Sequence, residues 1–318
     1  MWTIAIDLGG TIIKAGLLDE DGLVATGSIE AASATGLNSN FPALEKLIGE
    51  LLNEHQVSME NMLGIGFSFP GLVDSDRNKV LSTNRKYDDA VDLDLTEWAR
   101  NRWNARLFLE NDARMALLGE WQRGAAKGYD NCVLVTLGTG IGSAVIMEGK
   151  LLKGKHFQAG NLGGHFTVNH RGITCTCGNV GCMESEASTW RLPELIRSNP
   201  LYNCSSLKDE EKLDYESLFR NAAGEDPLAK EILDHCLSVW AAGLISMIHA
   251  FDPEIIVLSG GIMKSASVML PELQKRIDQY AWTPWGKVTL QKASHTNSAA
   301  LYGADYLVRS HCHHSFAI

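Results

Sequence analysis

A strand-like run, Met1 to Ile6, ends in "DLGGT" (Asp7 to Thr11) and returns at once into a second apolar run, "IIKAGLL". The arrangement recurs further on. "NCVLVT" leads into the tip "LGTGIG", and "SAVIMEGKLL" carries the chain back through a strand, a short turn and a third strand. Two half-chains that each begin with strand, glycine tip and strand point to an internal duplication. Glycine tips also narrow the chemistry. A backbone without Cβ can approach an anion closely and aim its N–H groups at it, and Thr11 and Thr139 add hydroxyl donors. Read singly, "DLGGT" is equally a hairpin turn. Read together, and with Gly260–Gly261 after a third apolar strand, the tips predict that phosphate is handled. Neither tip is a P-loop, because no Gly-Lys-Ser/Thr follows. Neither is a Rossmann fingerprint, because both return into strands instead of opening a helix.

The remaining pattern is α/β. "LVATG" reads as a third strand after the turn "DEDG". A helix is predicted over Phe41 to Glu54, with Leu44, Leu47, Ile48 and Leu51 on one face and Pro42 in its first turn. "LGIGFSFPG" and "RLFLEND" are strands, the latter leading into a helix from about Ala113. A long helix is predicted from about Asp226 to Phe251, ended by Asp252–Pro253, with Leu228, Ile232, Cys236 and Val239 at helical spacing. With 318 residues, two domains are expected. They are a smaller one over 1–117, with 299–318 packing back on it, and a larger one over 118–298. "WTPW" (Trp282 to Trp285) reads as a rigid aromatic turn. The tail residues His311, His313 and His314 read as a frayed polar terminus, with adventitious metal binding as the alternative.

A formal net charge of -10 and the lack of a basic run argue against a nucleic-acid binder held by phosphate attraction. No apolar stretch approaches the roughly 18 to 20 uninterrupted residues that a membrane-spanning helix needs. The N-terminus does not read as a signal peptide, so a cytoplasmic protein is expected.

Two further groups carry chemistry. "END" supplies Glu110, Asn111 and Asp112 where a strand becomes a helix. Asp112 is there either a helix N-cap or a general base, since phosphoryl transfer asks mainly for orientation of the attacking hydroxyl. The second group lies in "GGHFTVNHRGITCTCGNVGCME". His165, Cys175, Cys177 and Cys182 form H-x9-C-x-C-x4-C, a donor set suited to a closed tetrahedral zinc site of structural type. His170 is a rival fourth ligand. Glu184 follows the last cysteine by two residues and would gain rigidity from the metal.

Taken together, "DLGGT", "LGTGIG", "GH" followed by "CTCGNVGCME", and "DPEIIVLSGG" resemble the ROK family of sugar kinases, within the actin-like, hexokinase-like ATPase superfamily. The resemblance runs from about Ile4 to about Gly303. It implies two actin-like (ribonuclease H-like) α/β domains with mixed sheets around a central cleft. It also implies ATP and Mg²⁺, a hexose acceptor and a homodimer. On the nucleotide side it implies Gly9, Gly10, Thr11, Gly138 and Thr139 at the phosphates, completed by Gly140, Gly260 and Gly261, with Asp7 facing Mg²⁺ through water. On the sugar side it implies Gly71, Asn84, Asn111, His165 and Glu184, with Asp112 as the base toward the 6-hydroxyl. His165 would serve zinc with one ring nitrogen and sugar with the other.

One stretch departs from the family. The usual Glu-x-Gly-His is here "AGNLGGH", with Leu162 three residues before His165 and Asn161 one further back. Either Asn161 takes the place of the glutamate or the pocket prefers a different sugar. The expected activity is therefore glucokinase-type phosphorylation, with an N-acetylhexosamine kinase, fructokinase or allose kinase as alternatives. A sugar-responsive repressor is a remote one, because "DLGGT" begins too early for a preceding DNA-binding domain.

Overall fold

The computed structural model describes residues 1–313. It divides into two compact units. Unit 1 comprises Met1–Gly128, Lys153–Ala159 and the chain from Ser294 onward, and unit 2 comprises Tyr129–Leu152 and Gly160–Ala293. The division expected between residues 117 and 118 would cut a helix, Asp112–Arg123, that stays whole within unit 1.

Unit 1 opens with the expected meander, β1 (Trp2–Leu8), β2 (Ile12–Leu18) and β3 (Leu23–Glu30). The "DEDG" turn is held by Asp19, whose Oδ1 accepts from the backbone N–H groups of Asp21 and Gly22. Next come α1 (Phe41–Glu54), β4 (Met62–Phe69), the hairpin β5 (Gly71–Asp74) and β6 (Lys79–Thr83), and α2 (Leu95–Trp103). Then follow β7 (Leu107–Asn111) and α3 (Asp112–Arg123). In α1 the predicted apolar face is the buried one, and Pro42 sits in the first turn.

Unit 2 contains β8 (Cys132–Leu137), β9 (Ile141–Met147), β10 (Lys150–Leu151), α4 (Met183–Ala187) and α5 (Leu192–Arg197). It continues with α6 (Tyr215–Ala223), α7 (Pro227–Phe251), β11 (Ile255–Ser259), α8 (Ala266–Tyr280) and β12 (Thr289–Lys292). The last described element is α9 (Ala299–His313), in unit 1. Asp226 caps α7 by accepting from Ala229 N at 2.9 Å, and Asp252 ends it in a left-handed conformation. By length and mean hydropathy α7 could cross a membrane, although Lys230, Glu231 and Asp234 interrupt its apolar run. Its apolar residues, Trp240 and Leu244 among them, are instead buried in the core of unit 2.

The duplication is visible in the sheets. Unit 1 orders its strands β3-β2-β1-β4-β7 and unit 2 orders its own β10-β9-β8-β11-β12. In each, the first two pairings are antiparallel and the last two parallel. The parallel strands of a unit end at one edge, and open α/β sheets bind ligands beyond such carboxyl ends.

Within unit 1, α3 and α9 cross at close range. A Cβ on Gly119 would lie 1.9 Å from Ala299 O, and one on Gly303 would lie 1.8 Å from Met115 O, so neither position admits a side chain without parting the helices. His311 stands on α9, not in a frayed end. Its Nδ1 lies 2.8 Å from Leu307 O and its ring packs 4.9 Å from that of Phe108. His314 and the side chain of His313 lie outside the described residues.

The start of α3 is anchored by a buried ion pair. Arg114 Nη1 lies 3.5 Å from Glu110 Oε1, with both side chains wholly inaccessible, and Lys153 Nζ lies 3.7 Å from Glu110 Oε2. Arg114 Nη2 also donates to Ala159 O at 2.8 Å. The segment Lys153–Ala159 is thereby fastened to β7 and α3. Removing one member of such a pair strands the other charge. Glu110→Ala is expected to cost about 3 kcal/mol, measured by urea unfolding, and a loss below about 1 kcal/mol would contradict this role.

Candidate active site and metal centre

In unit 1 the expected residues gather at the carboxyl ends of β1, β4 and β7. Asp7 pairs with Ser68 across β1 and β4, and Ser68 Oγ donates to Asp7 Oδ1 at 2.9 Å. Burial pushes the Asp7 carboxyl above its ordinary value, opposed by the Ser68 hydrogen bond and by Lys14. The tip Gly9–Thr11 is tight. Gly9 N donates to Ile12 O at 3.0 Å, and a Cβ on Gly9 would sit 2.5 Å from that same oxygen. Thr11 is exposed.

Asn111 is the residue that caps α3. Its Oδ1 accepts from Ala113 N at 3.1 Å and Arg114 N at 3.2 Å, while its Nδ2 donates to Gly71 O at 3.0 Å and to Asp112 Oδ1 at 2.9 Å. Asp112 is therefore the first helical residue and not the N-cap. One of its oxygens also accepts from Ala113 N at 2.8 Å. Its side chain reaches the surface, yet the surrounding protein strips enough water from it to push its pKa up to about 6. The Asp7 charge adds to the rise, and the Ala113 hydrogen bond, Lys86 and Asn111 oppose it. The environment thus keeps a carboxylate poised near neutrality, the range useful to a general base. Gly71 pairs with Thr83 in the β5–β6 hairpin, which sets the exposed Asn84 beside it in sequence.

In unit 2 the tip Gly138–Gly140 lies between β8 and β9. Gly260, at φ +97, closes against it from the end of β11, where a Cβ would lie 2.2 Å from Leu137 O. That position therefore needs glycine for the fold itself. Gly261 and Gly138 differ, since a Cβ on Gly261 would meet nothing within 4 Å and one on Gly138 only Gly140 O at 3.9 Å. The space beside them is free for a ligand. Glu184, in the first turn of α4, reaches this tip. Its Oε2 accepts from Ile141 N at 2.8 Å and would lie 2.7 Å from a Cβ on Gly140. This contact was not legible in the sequence. It commits one carboxylate oxygen of Glu184 to the tip.

The four cysteine and histidine ligands predicted from spacing come together. One donor atom from each of His165, Cys175, Cys177 and Cys182 lies within 4.8 Å of all the others. His170 is exposed and is not in the group. Cys175 Sγ lies 3.6 Å from His165 Nδ1, and Cys177 Sγ lies 3.7 Å from Cys182 Sγ. A tetrahedron with metal–sulfur bonds of about 2.3 Å has edges of about 3.8 Å, so the donors fit a four-coordinate zinc ion with no place left for water. Burial and the neighbouring thiols push Cys182 up to about 12, whereas Cys177 is drawn below its ordinary value against the effect of burial by hydrogen bonds from Asn179 and the other thiols. Nδ1 faces this cluster, which leaves Nε2 of His165 for another partner. Near it in sequence, Asn161 holds a buried Oδ1 with no hydrogen-bond partner, and Leu162 is exposed.

Three participants escaped sequence reasoning. Ser68 supports Asp7, Tyr87 donates from its hydroxyl to Gly9 O at 2.5 Å, and Lys86 lies across Gly10, where a Cβ would meet its Nζ and Cε at 2.9 Å. Each is brought to its tip by the fold from a distant strand or loop, and none stands in a pattern that marks it.

The sequence model of the ROK family matches residues 3–311. A glucokinase of Thermotoga maritima is 32% identical over 284 residues, 87% of this chain and 87% of that protein. A xylose repressor of Bacillus subtilis is 27% identical over 316 residues, 98% of this chain and 77% of the repressor. Among solved structures, a ROK family glucokinase from Streptomyces griseus in complex with glucose and AMPPNP is 26% identical with a TM-score of 0.79, covering 98% of this chain and 100% of that one. This likeness and the two mixed sheets establish the actin-like α/β fold expected from the sequence.

Elemental analysis of the purified protein is expected to find about one zinc per chain. Cys182→Ala is expected to lose the metal and lower the thermal midpoint. A folded, zinc-free wild-type protein would refute the metal site.

Proposed function

This chain belongs to the ROK family, and on that premise we propose that it is an ATP-dependent sugar kinase of glucokinase type, acting at the 6-hydroxyl of a hexose. The observation that carries the reading is Asp112, released from capping by Asn111 and held with a pKa of about 6 at the same strand edge as Asp7 and the Gly9–Thr11 tip. A structural aspartate at a helix start has no need of that environment.

In the proposed reaction Asp112 accepts the proton of the sugar hydroxyl as its oxygen bonds to the γ-phosphorus. The bond from phosphorus to the β–γ bridging oxygen breaks, and ADP departs. Positioning and charge neutralisation supply most of the rate in such transfers. In unit 1, backbone N–H groups at Gly9–Thr11 would hold phosphate and Asp7 would face the Mg²⁺ that accompanies the nucleotide; in unit 2, the Gly138–Gly140 tip offers N–H groups of the same kind. His165, Cys175, Cys177 and Cys182 would hold a structural zinc ion, which would stiffen the start of α4 and with it Glu184, leaving Nε2 of His165 to meet a sugar hydroxyl.

The unpartnered Oδ1 of Asn161 supports its acting as a hydroxyl acceptor on the sugar side, since a buried acceptor calls for a donor. An amide there, in place of the family's carboxylate, is the reason to include N-acetylhexosamines, fructose and allose beside glucose. The likeness to a xylose repressor is met by the same assay, because a sugar-binding repressor releases no ADP. A coupled ADP-release assay over hexoses and N-acetylhexosamines is expected to find one sugar turned over well, and silence with all of them would overturn the kinase reading.

Asp112→Asn is expected to lower kcat about a hundredfold or more while sugar affinity changes little. A variant keeping over about a tenth of wild-type kcat would be inconsistent with a base that contributes in that range. The base works deprotonated, so wild-type kcat/KM is expected to fall as the pH drops below about 6. It should hold level above that value. An acid limb that persists unchanged in Asp112→Asn would assign it to another group.

A further inference from the structure

Lys86 lies in the loop between β6 and α2, and its position is unusually determined. Arg85 and Tyr87 on either side of it both have φ of +57, a left-handed conformation that costs a non-glycine residue energy and persists only where the surroundings enforce it. The enforcement is visible. The Tyr87 ring is wholly buried, its hydroxyl donates to Gly9 O at 2.5 Å, and its backbone N donates to Ser33 O at 2.8 Å. Ser33 Oγ in turn donates to Gly10 O at 2.8 Å. A second clamp holds the loop from Asp89, whose carboxylate accepts from Leu37 N and Asn38 N. Both carbonyls of the Gly9–Gly10 tip are thus tied to the segment that carries Lys86.

The result is a half-buried ammonium laid across Gly10 that makes no ion pair and no direct hydrogen bond among the described residues. It acts on Asp112 through the field alone. Two carboxylates, Asp7 and Asp112, already crowd this strand edge, so a polyphosphate arriving there meets like charge. A strained loop that holds an uncommitted cation over the tip answers that repulsion. The other lysine close to the tip, Lys14 on the return strand β2, is already committed, since its Nζ donates to Asn297 O at 2.9 Å.

We propose that the Lys86 ammonium contacts the terminal phosphoryl group of the nucleotide at the Gly9–Thr11 tip and offsets the charge on that group as it is transferred. This rests on the kinase reading above. Lys86 forms no bond to phosphorus and moves no proton; it supplies a fixed positive charge where the β–γ bond opens, of the kind that dominates phosphoryl transfer.

The test compares Lys86→Met, Lys86→Gln and Lys86→Arg with wild type, by turnover of the best hexose and by calorimetric binding of Mg-AMPPNP and Mg-ADP. Lys86→Met and Lys86→Gln are expected to lower kcat/KM for ATP about a hundredfold. They should weaken AMPPNP about tenfold, while ADP, which lacks the terminal group, shifts less than about twofold. Lys86→Arg, which keeps the charge, is expected to recover much of the loss. Equal weakening of both nucleotides would mean that the loop merely supports the tip, and turnover within about threefold of wild type for Lys86→Met would likewise overturn the proposal. If wild type binds AMPPNP but phosphorylates no sugar, the kinase reading fails, and the difference between the two nucleotides still decides Lys86. If wild type binds neither nucleotide, both fail.

Discussion

The side chain of Asn111 makes three commitments at once: it caps α3, it fixes the β5 hairpin through Gly71 O, and it bonds to Asp112 Oδ1. Each alone is an ordinary polar contact, worth about 1 kcal/mol. Their conjunction is what matters. A helix start needs a side-chain acceptor for its orphan N–H groups, and because Asn111 provides it, the next residue is free to present a carboxylate. Behind it, the buried Glu110–Arg114 pair and the close crossing of α3 and α9 hold the helix at one depth. The proposed base is thus rigid for reasons lying mostly in the core of unit 1.

Unit 2 has the same sheet order and uses the corresponding edge differently. There the strand ends carry no base. The tip Gly138–Gly140 is buttressed by Gly260 from β11 and by Glu184 from α4, and α4 begins at Cys182, one of the four clustered ligands. A metal bound there would stiffen a loop that has few apolar residues of its own to pack, and the stiffness would pass through two residues of helix to the tip. The two sheets present equivalent edges, and the residues gathered at each come largely from the segments that follow its strands.

Much of this was legible in residues 7–11, 137–142 and 165–182, because glycine tips and clustered ligands are local patterns whose chemistry is set by spacing. The long helix α7 and the amphipathic α1 were legible for the same reason. What escaped depends on tertiary packing. Asn111 and Asp112 are both good caps, and the extended backbone at Asn111, whose side chain accepts from Ala113 N and Arg114 N, decides between them. The unit boundary is invisible at 117–118 because α3 runs through that point, and its membership is fixed by α9 from the far end of the chain. Glu184 reads as a sugar ligand, and the bond of its Oε2 to Ile141 N, which ties it to the glycine tip as well, comes from the packing of α4. Lys86 is one basic residue in a polar loop, a composition that by itself says only that the loop is solvated.

The one stretch where sequence and family pattern disagree leaves the surrounding fold undisturbed. At "AGNLGGH" a carboxylate is missing, but the fold around it is intact, with the ligands gathered and a buried amide oxygen left over at Asn161. On the proposed reading, that combination would alter what is recognised without altering what is done to it. A sugar hydroxyl donates to an amide oxygen as readily as to a carboxylate, though about half as strongly, and an amide also offers N–H donors that a carboxylate lacks. An acceptor on the sugar, such as the carbonyl of an N-acetyl group, gains a partner at such a site that the usual glutamate denies it. On the proposed reading, reaction class would follow from the strand edges, which are set by the core, and substrate choice from a loop, where one residue can change the recognition without disturbing either.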